Sequence, residues 1–535
     1  MMLEFILHKS MCEDFVTSLY DKDPLPGSNV RWLSLHNKIS ERYKMNPKNL
    51  RLVRSLTVFG KAHKSVLDFS MYKLLRVLDL EECNEDLDDK HLKEICNLLL
   101  LRYLSLGGAV MVTMLPKEVK KLQFLETLDI RKTKIEILPT QVMELPCLVH
   151  LFGKFKLQHN VGDRRMRKLK TWLSENSKLE TLAGFVVDKS QELPQLMDHM
   201  EYLTKVKIWC ESTGANAFAN NNLSHISKAI KGFIERGTQP NEARSLSLNI
   251  NDEWSQDILD FSLDKDYSYY LSSLKLRGNR ICSQLPLFVT MLGGLTKLCL
   301  SFPDDHKLSG KFLDSLSRVC GLEYLKLIAT QLDKLVIGQG ALRSLQRLCV
   351  MVEVMTELEI QEGAMPRVES LQLLCTNLNG FSGTTIQCLP RLKEVALHDG
   401  LSNQTKQDWK EAAKRHPRHP KLLFVTREMV NDAKFTPAAT VTDMMAQEVP
   451  MGSKLAEKFE SPVIPPTDTT LSMRKPPGAI SSELKSEPVV EIPMAPAATT
   501  NMTLPVNHDA STNAQQEYSE KTMWRQLLLT MRPSR

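Results

Sequence analysis

The stretch Leu125–Leu145, "LETLDIRKTKIEILPTQVMEL", decides how the rest of the chain is read. Its apolar residues follow neither the helical period of about 3.6 nor the plain alternation of a half-buried strand. Leu128 and Ile130 are two apart, so an extended backbone points both to the same side. Thr133 falls at a bend. At Leu138-Pro139 the fixed φ of proline turns the chain back, and Val142 and Leu145 lie on the returning segment. The stretch reads as one complete turn of a coil: strand, bend, return.

The same motif recurs on both sides of it. Upstream stand "VRWLSLHN" from Val30, "VRSLTVFG" from Val53, "LRVLDLEEC" from Leu75 and "LRYLSLGG" from Leu101. Downstream come "LVHLFG" from Leu148, "LETLAGF" from Leu179, "LTKVKIW" from Leu203 and "ARSLSLN" from Ala243. The series runs on through "LSSLKLRGN" from Leu271, "LTKLCLS" from Leu295, "LEYLKLI" from Leu322, "LQRLCVM" from Leu345, "VESLQLL" from Val368 and "LKEVALHD" from Leu392. Most intervals are 22 to 28 residues, with longer gaps of 31 and 40 after Leu148 and Leu203. A period of roughly 20–29 residues carrying LxxLxL defines a leucine-rich repeat. One such motif arises by chance in an amphipathic helix; fifteen at near-regular spacing do not. The expected fold is an α/β solenoid, a leucine-rich repeat horseshoe with a parallel β-sheet on its concave face. A single repeat cannot bury its apolar side alone, so stability comes from the stack. The polar segment Ser212–Ser227 reads as a loop leading into a helix over Leu223–Arg236.

Composition fits that reading. The 535 residues are 42% hydrophobic and 25% charged, with aromatics at only 6%, so the core is expected to be aliphatic. A formal charge of +6 is small for this length and gives no reason to expect nucleic acid. Eleven cysteines without a CxxC pair suit reduced, mostly buried thiols of an intracellular protein. Glu4, His8 and Lys9 interrupt the first apolar run, which makes a poor secretory signal. No window approaches the roughly 18 uninterrupted apolar residues of a membrane span. After Val425 the pattern stops: the last 110 residues hold 12 of the 26 prolines and almost no aromatics. Such a segment buries too little surface to offset its chain entropy, so residues 426–535 read as a disordered Pro/Ser/Thr-rich tail.

The repeats and both flanks resemble the leucine-rich repeat region of plant intracellular immune receptors, the nucleotide-binding leucine-rich repeat (NLR) proteins of the coiled-coil type from grasses. Three passages carry the resemblance. "MMLEFILHKSMCEDFVTSLYD" from Met1 is similar to the end of the winged-helix subdomain. "LPKEVKKLQFLETLDIRKTKIEILPTQVMEL" from Leu115 resembles the family's most regular repeats. "EGAMPRVESLQLLCTNLNG" from Glu362, with "LPRLKEVALHDGLSNQTKQDWKEAAKRHPRHPKLLF" from Leu389, resembles its closing segment. The domains expected are a remnant of the winged helix with a linker over 1–29, the repeat domain over 30–425, and the tail. No GxxxxGK[ST] phosphate loop occurs, so no nucleotide cofactor is expected here. A truncated gene model is the expected reason, a stand-alone sensor fragment the alternative. The resemblance implies a non-enzymatic recognition module that binds a pathogen effector or a guarded host protein and takes part in autoinhibition. It implies a cytoplasmic location, with the nucleus as a further compartment. A leucine-rich adaptor selecting substrates for ubiquitin ligation is the second reading, although residues 1–26 are too short for an F-box module.

Site candidates follow from geometry rather than from a catalytic motif, since no Ser/His/Asp, Cys/His or paired-carboxylate arrangement stands out. Residues flanking the buried pair of each LxxLxL face the open side. For the later repeats these are Lys275, Arg277, Lys297, Tyr324, Lys326, Arg347, Glu394 and His398, five of them basic, a strip suited to a protein with acidic patches. The basic run "DRRMRKLK" from Asp163 offers Arg164, Arg165, Arg167 and Lys168 as an intramolecular contact to the nucleotide-binding module, a role the resemblance implies. The acidic run Glu81–Asp89 lacks the glycine and closing glutamate of a calcium loop and reads as a solvated or partner-facing loop. His416 and His419 read as the basic, proline-broken end of the last repeat. Asn222, Asn403 and Asn501 match glycosylation sequons by pattern only.

Overall fold

The computed structural model describes residues 16–19 and 30–425, apart from 37–49, 63, 84–86, 108–110, 159–161, 188–191, 211–220, 238–241, 251–257, 265–268, 279–284, 303–306, 309–315, 317–318 and 379–382. The described residues belong to one compact unit. The tail over 426–535 and the stretch before Val16 lie outside them.

Among the described residues, twenty strands pair in parallel. All but three succeed one another in a single ladder, each LxxLxL supplying one rung. The ladder begins earlier than the motif does. Val16–Leu19, which lacks LxxLxL, pairs in parallel with Trp32–His36. Lys421–Val425 adds a rung after the last motif, pairing with Glu394–His398. The three remaining strands, Ile137–Leu138, Lys307–Leu308 and Gln331–Ile337, lie on the return side. Gln331–Ile337 pairs with the second half of the 14-residue strand Arg347–Ile360, whose first half is a rung of the ladder. There a second run of sheet replaces a helix.

The inward pairs behave as their spacing requires. Leu33, Leu56, Leu78, Leu104, Leu128, Leu151 and Leu182 follow one another at the same register and are buried. One continuous apolar core runs from Val30 to Ala412. In the turn that opened the reading, Thr133 Oγ1 donates to the Ile130 carbonyl (2.7 Å), and a short 3-10 helix over Thr140–Val142 buries Val142. Longer helices cover the return side elsewhere: Asp163–Asn176 buries Leu169 and Leu173, one turn apart, and Asn221–Glu235 buries Ile226, Ile230 and Phe233. The helix Asn403–Arg415 closes the described end. Ser402 caps it by accepting the Thr405 N–H (3.1 Å), and Trp409 is wholly buried beneath it.

Two repeats break the pattern together. In "LVHLFG" and "LETLAGF" a glycine stands where the third apolar residue belongs. Phe152 pairs with Ala183 and Phe155 with Phe185, so Gly153 and Lys154 face Gly184 alone across the ladder. Gly184 is itself the extra residue against the next rung, where Ala183 pairs with Lys207 and Phe185 with Ile208. Stacked bulges thus hand the inward position to Phe155 and Phe185, and Lys154 is pushed into solvent. Gly184 sits at φ +118, and a Cβ there would lie 1.2 Å from the Gly153 carbonyl oxygen. Gly184→Ala is therefore expected to cost about 2 kcal/mol or more, read as a lowered urea midpoint. Gly293→Ala, with nothing within 4 Å of its Cβ, serves as the unperturbed control. Equal midpoints for the two variants would show that the bulges do not depend on this contact.

Candidate functional site

The open face of the ladder is built from the residues that alternate with the inward pairs, and parallel pairing in step stacks like positions from rung to rung. Its character changes along the chain. On the early rungs the face is small, polar and close-packed: Ser55, Thr57, Asp79, Ser105, Thr127 and Asp129 are all buried. The Arg131 guanidinium grips Asp129, with Nε 3.0 Å from both carboxylate oxygens, and lies 5.2 Å from the centre of the Phe152 ring.

The middle rungs are cationic and aromatic. Along one column, Lys207 pairs with Ser247, Ser247 with Lys275, Lys275 with Cys299 and Cys299 with Lys326. A lysine thus occupies every second rung with a small residue between. Beside this column Trp209 and Arg277 share the next outward register, both opposite Asn249. The Lys154 and Lys207 ammonium groups lie 5.1 and 4.5 Å from the centre of the Trp209 ring. The indole N–H of Trp209 is buried and has no hydrogen-bond partner among the described residues. Lys207, Lys275, Arg277, Lys297 and Lys326 form no ion pair among the described residues. Burial, and after it the charges of Lys275, Arg131 and Arg277, push the Lys207 ammonium below the usual lysine range. Burial raises the Cys299 thiol, with Lys275 and Lys326 pulling the other way.

On the last rungs the face turns apolar. Cys349, Met351, Leu374, Ala396 and Val425 form a second buried cluster separate from the core, against which Tyr324, Ile328 and Leu423 pack. Burial pushes the Cys349 thiol up to about 12, a group unsuited to nucleophilic work.

The residues expected on the face divide accordingly. Lys275 and Arg277 are exposed; Lys297, Lys326, Arg347 and Tyr324 are half-buried. Glu394 is buried at 9% exposure, and its carboxylate accepts from Ser370 Oγ (2.7 Å). His398 is half-buried and accepts the Gly400 N–H (2.9 Å). Sequence reasoning passed over Lys205, Lys207 and Trp209, although their alternation with Val206 and Ile208 places them on the open side. Lys154 was beyond parity reasoning, because the bulge at Gly153 shifts the count.

The other candidates are local. Arg164, Arg167 and Lys168 are exposed on the first turns of Asp163–Asn176, whereas Arg165 reaches Glu144 (3.5 Å) and Thr140 (3.1 Å) within the return side. Lys132, at φ 64, bridges Glu81 and Glu82 at 3.2 Å each, and Asp88 caps the helix Asp89–Ile95. His416 is buried: its Nδ1 accepts the Arg418 N–H, leaving Nε2–H to donate to the Leu389 carbonyl, both at 3.1 Å. His419 is exposed. No group of three or more His, Cys, Asp or Glu among the described residues is placed to hold a metal. No helix among them is long and apolar enough to cross a membrane.

The match to a family model agrees with this architecture. The family model described as Leucine-rich repeat region matches residues 52–422. Disease resistance protein RGA4 of Oryza sativa subsp. japonica is 44% identical over 84% of this chain and 43% of its own length. Disease resistance protein Pik-2 from the same source is 27% identical over 76% of this chain and 43% of its own. The chain thus spans about two-fifths of the length of these curated relatives. Among solved structures, an LRR protein of Leptospira interrogans aligns over 78% of this chain and 98% of its own at 17% identity, with a TM-score of 0.40.

The buried carboxylate makes a pH prediction. Burial raises the Glu394 pKa against the opposing pull of Ser370, Arg347 and Lys421. The native state therefore takes up its proton before the unfolded chain does, and acidification through the raised value favours folding. As the pH falls toward the ordinary glutamate range, the wild type is expected to gain stability relative to Glu394→Gln, measured as the difference between urea midpoints. A difference that moves the other way would mean that the carboxylate is stabilised in its charged form.

Proposed function

The chain belongs to the leucine-rich repeat region family, and from that membership we propose that it is the non-catalytic recognition module of a plant immune receptor. The single observation that carries this reading is the 44% identity with a rice disease resistance protein over 84% of the chain. In this role the open face engages a protein ligand, a pathogen effector or a guarded host protein, and the scaffold supplies rigidity rather than chemistry. The separation of tasks in the ladder supports the reading: inward leucines hold the fold, leaving the outward cations of the middle rungs available to a partner. The module works in the cytoplasm and nucleus, and it restrains the receptor by contacting the nucleotide-binding module, in the same chain or in another.

The exposed cations at the start of Asp163–Asn176 suit that second contact. They lie on the return side, where they leave the open face to the ligand. Co-expression of the full chain with the nucleotide-binding module of a grass receptor of this type should give association in pull-downs. Reversing Arg164, Arg167 and Lys168 to Glu together is expected to weaken it about tenfold or more. Arg165 is left in place, because its contacts to Glu144 and Thr140 belong to the fold. Undiminished association of the triple variant would rule the basic helix out as the interface, and no association of the wild type would count against the receptor reading itself.

A further inference from the structure

The lysine column on the open face has a period that restricts what can bind it. Lys207, Lys275 and Lys326 stand on alternate rungs, separated by Ser247 and Cys299. Neighbouring strands lie about 4.8 Å apart, so successive lysines of the column are spaced by roughly 9.6 Å. A β-strand laid along the row matches it poorly. Its same-side residues recur at roughly 6.7 Å, and residues three apart point to opposite sides. A polyproline II helix matches it closely: three residues per turn at about 3.1 Å each bring residues i, i+3 and i+6 to one side at about 9.3 Å.

Two further features point the same way. A polyproline II segment makes no internal hydrogen bonds, so its carbonyls need donors from the partner. The buried, unpartnered indole N–H of Trp209 stands beside Lys207 as such a donor. Nucleic acid fits less well, because the Lys154 and Lys207 ammonium groups already occupy the Trp209 ring on which a base would stack.

Resting on the reading of the open face as the recognition surface, we propose that Lys207, Lys275 and Lys326 form a docking track for an acidic protein segment in the polyproline II conformation. The segment carries carboxylates at every third residue, each pairing with one lysine, and Trp209 donates to a segment carbonyl near the first. The small residues Ser247 and Cys299 leave room between the lysines for the intervening side chains. Arg277 and Lys297 flank the track and attract the segment without setting its register.

The test uses the full chain and two fluorescein-labelled peptides of about nine residues each, with three glutamates in a proline background. One places a glutamate at every third position; its isomer places all three together. Fluorescence anisotropy is expected to show the spaced peptide bound at least about fivefold more tightly than its isomer. Lys275→Glu and Lys275→Met should both remove most of that preference, and Trp209→Phe should weaken the spaced peptide several-fold. Circular dichroism checks that each variant is folded, and Lys275 is exposed enough for substitution without loss of the core. Equal affinity for the two isomers would overturn the proposal, since charge alone would then suffice. So would stronger binding of an oligothymidylate of matched length, or an unaltered preference in both Lys275 variants. A chain that binds the spaced peptide but no nucleotide-binding module would fail only the receptor reading. One that associates with the module but ignores the spacing would fail only the track.

Discussion

Everything in this molecule depends on neighbouring rungs staying in step, and a small backbone device keeps them so. At the second position of LxxLxL, the carbonyl accepts N–H groups from the second and third positions of the next repeat. Arg31 O receives Arg54 and Ser55, Arg54 O receives Arg76 and Val77, and Arg76 O receives Arg102 and Tyr103. The device runs on through Glu323 O, which receives Gln346 and Arg347, to Glu369 O, which receives Lys393 and Glu394. The bonds are made by the backbone, with Thr204 Oγ1 adding a further one to Glu180 O (3.3 Å), so the accepting position holds Arg, Glu, Val, Thr or Gln. A slip of one residue would turn every leucine of a rung outward.

Being in step has electrostatic consequences. Identical positions are stacked at strand spacing, so like charges repeated in the sequence are forced into proximity. Arg31, Arg54 and Arg76 stand in one such stack, and the Arg54 guanidinium is lowered by burial and by the two arginines beside it. Arg102, next in the column, finds Glu126 at 3.0 Å on the following rung and ends the series. The lysine column of the middle rungs avoids direct adjacency through Ser247 and Cys299. One architecture thus accommodates repeated charge in two ways, by neutralising a neighbour or by skipping a rung.

The ladder was legible in the sequence because each rung repeats the same demand: two apolar residues two apart, with a turn and a return to follow. That rule found the inward leucines and the strands they sit on. It missed Val16–Leu19, whose "VTSL" has no paired leucines and is held by backbone pairing to its neighbour. It failed locally at Gly153 and Gly184, where an inserted residue shifts the alternation. The same parity placed Lys275, Lys297 and Lys326 on the open face and would have placed Lys207 and Trp209 there had it been applied to the earlier repeat. What parity cannot supply is depth. Glu394 occupies an outward position, yet it is buried beside Ser370, and Cys349, Met351 and Leu374 are covered although they point away from the core. Such burial depends on the bulk of neighbours one and two rungs away, which no single repeat contains.

The stacked bulges tie together residues that never touch a common partner. Lys154 reaches the Trp209 ring because an extra residue at Gly153 carries it out of the strand, and Gly184 closes directly against the Gly153 carbonyl. A change of glycine in one repeat therefore re-aims a charge in the repeat before it and alters its contact with an aromatic ring in the repeat after it. These three places are coupled through the backbone. Exchanging Lys275 alters a side chain alone, whereas closing the bulge at Gly153 also takes away the backbone against which Gly184 packs.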